Sequence, residues 1–432
     1  MLSSQPLSVR RTRRGRVVAM VLMTFLLAGL WIAGLFAGAL FGWWRQPLAP
    51  HGDVAAFTDA ARQMITRPHG AAAFVLIERG RIVDQVYRSS GPAIGPDTPF
   101  QVASLSKWIA AMGVMTVVQD GRIDLDAPAS RYLERWRLPD GPYNDQVTAR
   151  RLLSHTAGLT DDLGFGGFAP GKPVQPLAEA LTHAADASPG KDGRVRVGQP
   201  PGRFRYSGGG YALLQLLIED VTGESFDAYM TRAVFRPLGL THTTFTPPAD
   251  TQVAPSFDRE GASAPLMRFS APAAAGLYTS AADIARLVEA LTPGPKGEAP
   301  GRGVLTPASL DLMRQPEASQ YGAAIWGLGT ILYAPDGHGG YIIGHDGSNT
   351  PAINTTVRLD AATGDGIVVL ETGDPRLATR LGGEWVFWKT GNIDLFVVPA
   401  ELERVAAAMV IGAGVILLLG LLAFASVRRR SG

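Results

Sequence analysis

The chain predicts an α+β fold: one antiparallel sheet assembled from both ends of a soluble body, flanked by helices, plus a mostly helical lobe, with one transmembrane helix at each end. Three observations carry this. Runs of β-branched and apolar residues lie near both ends of the body, helical periodicity fills the middle, and stretches of 28 and 23 residues without a charge bracket the whole.

Those stretches, Val17–Trp44 and Val405–Val427, are each long enough to cross about 30 Å of hydrocarbon. Five arginines (Arg10, Arg11, Arg13, Arg14, Arg16) precede the first, and Arg428–Arg430 follow the second. The positive-inside rule puts such clusters in the cytoplasm, and Trp43 and Trp44 close the first span where interfacial aromatics sit. The chain is thus divided into a basic cytoplasmic tail (1–16), a span (17–44), a body (45–404), a span (405–427) and a short cytoplasmic tail (428–432). A cleaved signal peptide ending near Ala37-Gly38-Ala39 is the competing reading. It is disfavoured because the apolar stretch far exceeds the usual 7–15 residue core of such a peptide. The Arg-rich, Lys-poor, Ala/Gly/Pro-rich usage points to a bacterium with a GC-rich genome. The bilayer is then the inner (cytoplasmic) membrane and the body is periplasmic or extracellular.

Within the body, Phe74–Arg79 and Arg81–Tyr87 read as a hairpin hinged at Gly80. Ser104–Gln119 carries Trp108, Ile109, Met112, Met115 and Val118 on related helical turns, and Gly121 lies just past its end. Residues 160–203 are rich in Gly and Pro and read as long loops. Tyr211–Val221 and Ala281–Leu291 read as helices, and Asp283 as a capping or pairing residue. Ile353–Leu359 and Gly366–Thr372 form a late hairpin. Trp385, Phe387 and Trp388 suit either a core or a membrane interface.

Composition removes several classes. With 46% hydrophobic residues the chain is not intrinsically disordered, and with no cysteine it has no disulfide, thiol nucleophile or lipobox. The formal net charge is +2, and the termini hold +8 of it, which leaves −6 for the body. No basic stripe suited to nucleic acid exists. The seven histidines show no metal-ligand spacing, and no Gly-x-Ser-x-Gly elbow occurs. No cofactor or metal is expected.

Chemistry begins at Ser104-Leu105-Ser106-Lys107. Residues three apart share a helix face, and a helix N-terminus favours developing negative charge. A buried amine can then take the serine proton. The spacing alone is common: Ser188-Pro189-Gly190-Lys191 repeats it, but Pro and Gly there forbid the helix.

The motifs that follow make the chain familiar. They are Leu152-Leu153-Ser154-His155-Thr156-Ala157-Gly158-Leu159, then Pro201-Gly202 with Tyr206-Ser207, then Phe235-x-Pro237-Leu238-Gly239-Leu240, then Gly344-His345-Asp346-Gly347-Ser348. Together with Ser104-x-x-Lys107 they resemble, in order and over about residues 50–395, the class C β-lactamase-like serine hydrolases among the penicillin-recognising enzymes. The resemblance implies a β-lactamase/transpeptidase-like fold. It makes Ser104 the acylated nucleophile, Lys107 its amine partner and Tyr206 the proton carrier. It also implies an oxyanion hole from the backbone N–H groups of Ser104 and Ser348, with Gly208 and Gly347 against the substrate and His345 in the third motif.

Two departures matter. Tyr-x-Asn is here Tyr206-Ser207-Gly208, which lacks the amide that grips peptide-like substrates. A literal Lys389-Thr390-Gly391 also occurs, but only a short stretch separates it from the second span, so it is read as a decoy for His345. His155 is assigned a structural hydrogen-bonding role. The expected activity is hydrolysis of a small ester, amide or D-amino-acid peptide in the envelope, as an esterase or DD-peptidase-like enzyme more than as a β-lactamase. The alternative is a catalytically weak sensor that binds wall fragments, and a transporter component has only the two spans in its favour. Substrate identity and oligomeric state are not legible.

Overall fold

The computed structural model describes residues 8–66, 69–160, 166–248, 252–320 and 322–429. It divides into two units, residues 47–390 and the paired terminal segments 1–46 and 391–432.

The larger unit is built on an eight-stranded antiparallel sheet. Its strands are β1 (Ala71–Glu78), β2 (Arg81–Ser89), β5 (Ala318–Gln320), β6 (Ala323–Trp326), β7 (Ile331–Pro335), β8 (Tyr341–Asn349), β9 (Ile353–Asp360) and β10 (Asp365–Thr372). They run in the order β2-β1-β10-β9-β8-β7-β6-β5. A separate pair, β3 (Phe100–Gln101) and β4 (Tyr278–Thr279), lies outside this sheet. The hairpin at Gly80 begins three residues earlier than its β-branched run. Ala71, Ala72 and Ala73 have little strand preference of their own, but they are buried between Ser89–Tyr87 on one side and Thr372–Leu370 on the other. The late hairpin forms as expected, closed over residues 361–364.

Between the two ends of the sheet lie the helices. Leu105–Gln119 is buried along nearly its whole length, which explains why apolar residues surround it instead of forming one stripe. The next helix, Gly208–Thr222, starts three residues before its apolar pattern because Ser207 caps it, its hydroxyl accepting the Gly210 N–H at 3.0 Å. Ala281–Ala290 is likewise capped by Ser280, while Asp283 is fully buried and accepts from His242 N–H and the Thr243 hydroxyl, each at 2.7 Å. The segment 160–203 is mostly irregular but holds a short helix, Leu177–Thr182; its residues 161–165 lie outside the described residues. Trp385 and Trp388 belong to the core, Trp388 stacking on Phe57 with ring centroids 4.6 Å apart.

The smaller unit pairs two long helices, Ser8–Phe41 and Val398–Arg429. Within them Gly15–Phe41 and Val398–Val427 are long and apolar enough to cross a membrane. Trp31 Nε1 donates to Ala408 O at 3.0 Å, and a methyl at Gly412 would overlap the Trp31 indole, so the glycine admits the ring. Arg45 pairs with Glu401 at 2.9 Å.

Strand β8 is locked to β9 by a buried ion pair. Asp346 sits opposite Thr356, and its carboxylate takes hydrogen bonds from Arg358, Thr356, the Tyr333 hydroxyl (3.2 Å) and Thr379 (3.1 Å). Arg358 is fully buried, with its guanidinium 3.4 Å from the Tyr333 ring centroid. Removing the cation alone leaves a buried carboxylate, so Arg358→Leu is expected to destabilise the protein by about 3–5 kcal/mol. Arg358→Leu/Asp346→Asn should recover part of that loss, as read by chemical denaturation of the full chain.

Candidate active site

The site is organised around the turn that leads into the helix Leu105–Gln119. Ala103 has a left-handed backbone (φ +48°), a conformation costing an alanine roughly 1–2 kcal/mol. Its neighbours over-determine it. Val102 N–H donates to Leu277 O at 3.0 Å, Val102 O accepts from the Thr355 hydroxyl at 2.8 Å, and Ala103 O accepts from the Ser106 hydroxyl at 2.5 Å. Ser106 also accepts the Leu277 N–H at 3.0 Å, so the second serine of the motif ties the turn to the segment carrying Ala274.

The turn delivers Ser104 to the helix N-cap. Its hydroxyl does not cap the helix, and the Lys107 ammonium donates to it at 3.2 Å. Lys107 is only 2% exposed, and no carboxylate pairs with it among the described residues. A buried cation must be satisfied some other way. Here Ala274 O accepts from Nζ at 2.6 Å, and the rings of Tyr206 and Tyr211 lie 5.0 and 5.6 Å from it.

Tyr206 reaches this cluster from the extended segment before the helix Gly208–Thr222. The residue is 46% exposed, and its ring packs on His155 (4.4 Å between centroids) and Trp326 (5.7 Å). Gly208 opens that helix, in its first turn.

His345 enters from β8 and is buried. Its Nδ1 is 2.6 Å from Asp346 O, which makes Nδ1 the protonated nitrogen, and Nε2 is buried without a partner. Burial, then the charge of Lys107, pulls its pKa from the ordinary 6.5 down to about 3. The ring is therefore neutral near pH 7. His155 is held neutral for the same reasons, burial first and Lys107 second. Trp326 separates the two imidazoles, edge-on to each at 4.8 and 5.3 Å.

Gly347 joins β8 to the serine turn. A methyl there would overlap Val102 O and the Thr355 hydroxyl, so the strand passes against the residue two before Ser104. Ser348 follows, exposed. Strand β7 pairs with β8 only as far as Gly344, whereas β9 pairs through Asn349. From His345 onward, β8 thus has an edge that no strand of the sheet occupies.

The structure brings Ser104, Lys107 and Tyr206 into one cluster, with His345 across Trp326 and Gly347 against the turn. Lys389 is elsewhere, in ion pairs with Glu78 (2.8 Å) and Asp365 (2.9 Å) near the β1–β2 turn. Trp326, Ser106 and the Ala274 carbonyl escaped the sequence reading. Only Ser106 left a trace there, as the inner serine of the motif.

The chain is similar to several known proteins. The sequence profile of the Beta-lactamase family matches residues 57–385. Penicillin-binding protein 4 of Amycolatopsis lactamdurans is 31% identical over 359 residues, covering 76% of this chain and 87% of that one. Among solved structures, the octameric penicillin-binding protein homologue from Pyrococcus abyssi superposes with a TM-score of 0.64 at 23% identity, over 79% of this chain and 78% of that one. The D-amino acid amidase from Ochrobactrum anthropi SV3 does so with 0.57 at 21% identity, over 82% and 99%. With a family profile that spans most of the chain and a relative matched along most of its length, the chain belongs to the beta-lactamase family.

Proposed function

We propose that the chain is a membrane-anchored serine hydrolase that forms an acyl-enzyme at Ser104. The observation that carries this is the Lys107 ammonium, buried without a carboxylate and hydrogen-bonded to the Ser104 hydroxyl at 3.2 Å. An amine so placed does not strengthen the fold as an ion pair would; its use is to exchange a proton with the serine.

In this reading Ser104 Oγ attacks the substrate carbonyl carbon as its proton passes to Tyr206, which accepts it as a phenolate held beside the Lys107 ammonium. The backbone N–H groups of Ser104 and Ser348 hold the oxyanion. The tetrahedral intermediate collapses, and the leaving amine or alcohol takes the proton back through Tyr206. Water then repeats the sequence on the acyl-enzyme and releases the acid. Neutral His345 offers Nε2 as an acceptor to the substrate or to a water. An extended substrate lies along the free edge of β8, where backbone groups supply the pairing and Gly347 keeps the approach clear. Gly208 offers no side-chain amide to grip a peptide-like substrate, which favours small esters and simple amides over β-lactams. The name of one similar structure, a D-amino acid amidase, supports a D-amino acid amide as the substrate class.

The two membrane spans lie within the helices Gly15–Phe41 and Val398–Val427, the second over residues 405–427, with both termini cytoplasmic and residues 45–404 on the far side.

Three outcomes are expected. The full-length chain, purified in detergent, should gain one fluorophosphonate adduct by intact mass, absent from Ser104→Ala and retained by Lys389→Ala. An unlabelled but folded wild-type protein would point instead to a binding or sensor role. Because the chain has no cysteine, single substitutions report topology. In intact cells an impermeant maleimide should modify Ser90→Cys, and should modify Ser4→Cys and Ser431→Cys only after lysis. Finally, His345 resists protonation in the fold but not in the unfolded chain. It therefore contributes stability that is present above about pH 6.5 and is lost as pH falls towards 3. Below pH 6 the wild type should lose stability more steeply than His345→Asn, by about 1.4 kcal/mol per pH unit.

A further inference from the structure

Tyr206 must be held in place to exchange protons at this site, yet the residue is 46% exposed and nothing hydrogen-bonds its hydroxyl among the described residues. Its position depends on its backbone and on ring contacts. One residue supplies both. His155 O accepts the Arg205 N–H at 2.8 Å, and His155 Nδ1 accepts the Ser207 N–H at 3.1 Å. The residues on either side of Tyr206 are thus bound to a single partner, whose ring also lies 4.4 Å from the Tyr206 ring.

His155 is itself firmly held. It is 2% exposed, sits in a left-handed backbone (φ +57°), and is enclosed by Trp326 at 4.8 Å and Tyr211 at 5.3 Å. Its own N–H reaches Leu152 O at 3.3 Å, and the Thr156 N–H reaches Arg151 O at 2.8 Å. Because Nδ1 accepts from a backbone N–H, the ring proton is on Nε2. Only the neutral ring in this tautomer can bind Ser207. Burial and the Lys107 charge maintain that neutrality.

We propose that His155 is a positioning residue for catalysis: its carbonyl and its unprotonated Nδ1 clamp Arg205 and Ser207, and so fix the Tyr206 phenol beside Lys107 and Ser104. This rests on reading Tyr206 as the proton carrier. It goes beyond a packing role because it assigns the effect to one acceptor atom and routes it through one tyrosine.

Two substitutions separate the acceptor from the ring. His155→Phe keeps a ring and loses the acceptor. His155→Asn keeps an acceptor close to the Nδ1 position, suits a left-handed backbone and loses the ring. The readout is the second-order rate of fluorophosphonate labelling of the full-length chain, with thermal unfolding measured alongside. His155→Phe is expected to slow labelling 10- to 100-fold, a range typical of small misplacements. His155→Asn should stay within about 3-fold of wild type. In a Tyr206→Phe background, His155→Phe should cost less than about 3-fold more, since the two changes disable the same step. Should His155→Phe unfold, the rate of His155→Asn alone still decides. Independent, multiplying effects of the two sites would overturn the proposal, as would a folded His155→Asn as slow as Tyr206→Phe. Wild-type labelling by Tyr206→Phe would instead overturn the underlying role of the tyrosine, and the proposal with it.

Discussion

The structure turns on one buried ammonium. Lys107 has no carboxylate beside it, so its surroundings are made of weaker partners: a carbonyl, a hydroxyl and two aromatic faces. That choice has consequences outward. Two imidazoles in the same neighbourhood must remain uncharged, since a second cation there would be repelled as well as desolvated. The acid of the third motif, Asp346, is likewise kept from the lysine. It is engaged by Arg358, whose guanidinium holds it below its usual range despite burial. Among the described residues Lys107 is therefore left without an anionic partner, and a developing oxyanion would be its natural counter-charge.

The site draws on residues far apart in the chain: 103–107, 155, 205–208, 274–277, 326 and 345–347. Their convergence follows from close backbone approach more than from side-chain packing. Gly347 against Val102 O fixes the sheet to the helix, and Leu277 fixes the segment of Ala274 to the same turn. A site built this way tolerates variation in the surrounding loops, because its geometry is set by main-chain contacts.

Much of this was legible in the residues. Both hairpins and three of the body's longer helices follow from periodicity, whereas the helices Val54–Ile65 and Leu377–Thr390 went unread; Lys389, on the second of these, is paired with Glu78 and Asp365. The strands β5–β7 were not legible. They are short, and Ala318–Gln320 and Ala323–Trp326 carry too few β-branched residues for a period of two to emerge. Trp326 was missed with them. Its role as a wall between two imidazoles depends on a sheet order that no local pattern encodes. The early start of β1 at Ala71 comes from tertiary burial, and that of the helix at Gly208 from a serine cap. The strained Ala103 leaves no trace in composition, because alanine is not a residue that announces a left-handed turn.

The pairing of β1 with β10 sets a schedule on biosynthesis. Ala71 finds its partner only at Thr372, so the early hairpin leaves the ribosome with one edge bare. At 5–20 residues per second, roughly 15–60 s pass before β10 exists to cover it. For that interval Phe74, Val75, Leu76 and Ile77 form a strand-prone segment without shelter. Until β10 has been made the sheet stays open at β1, in a form that a holding chaperone can accept.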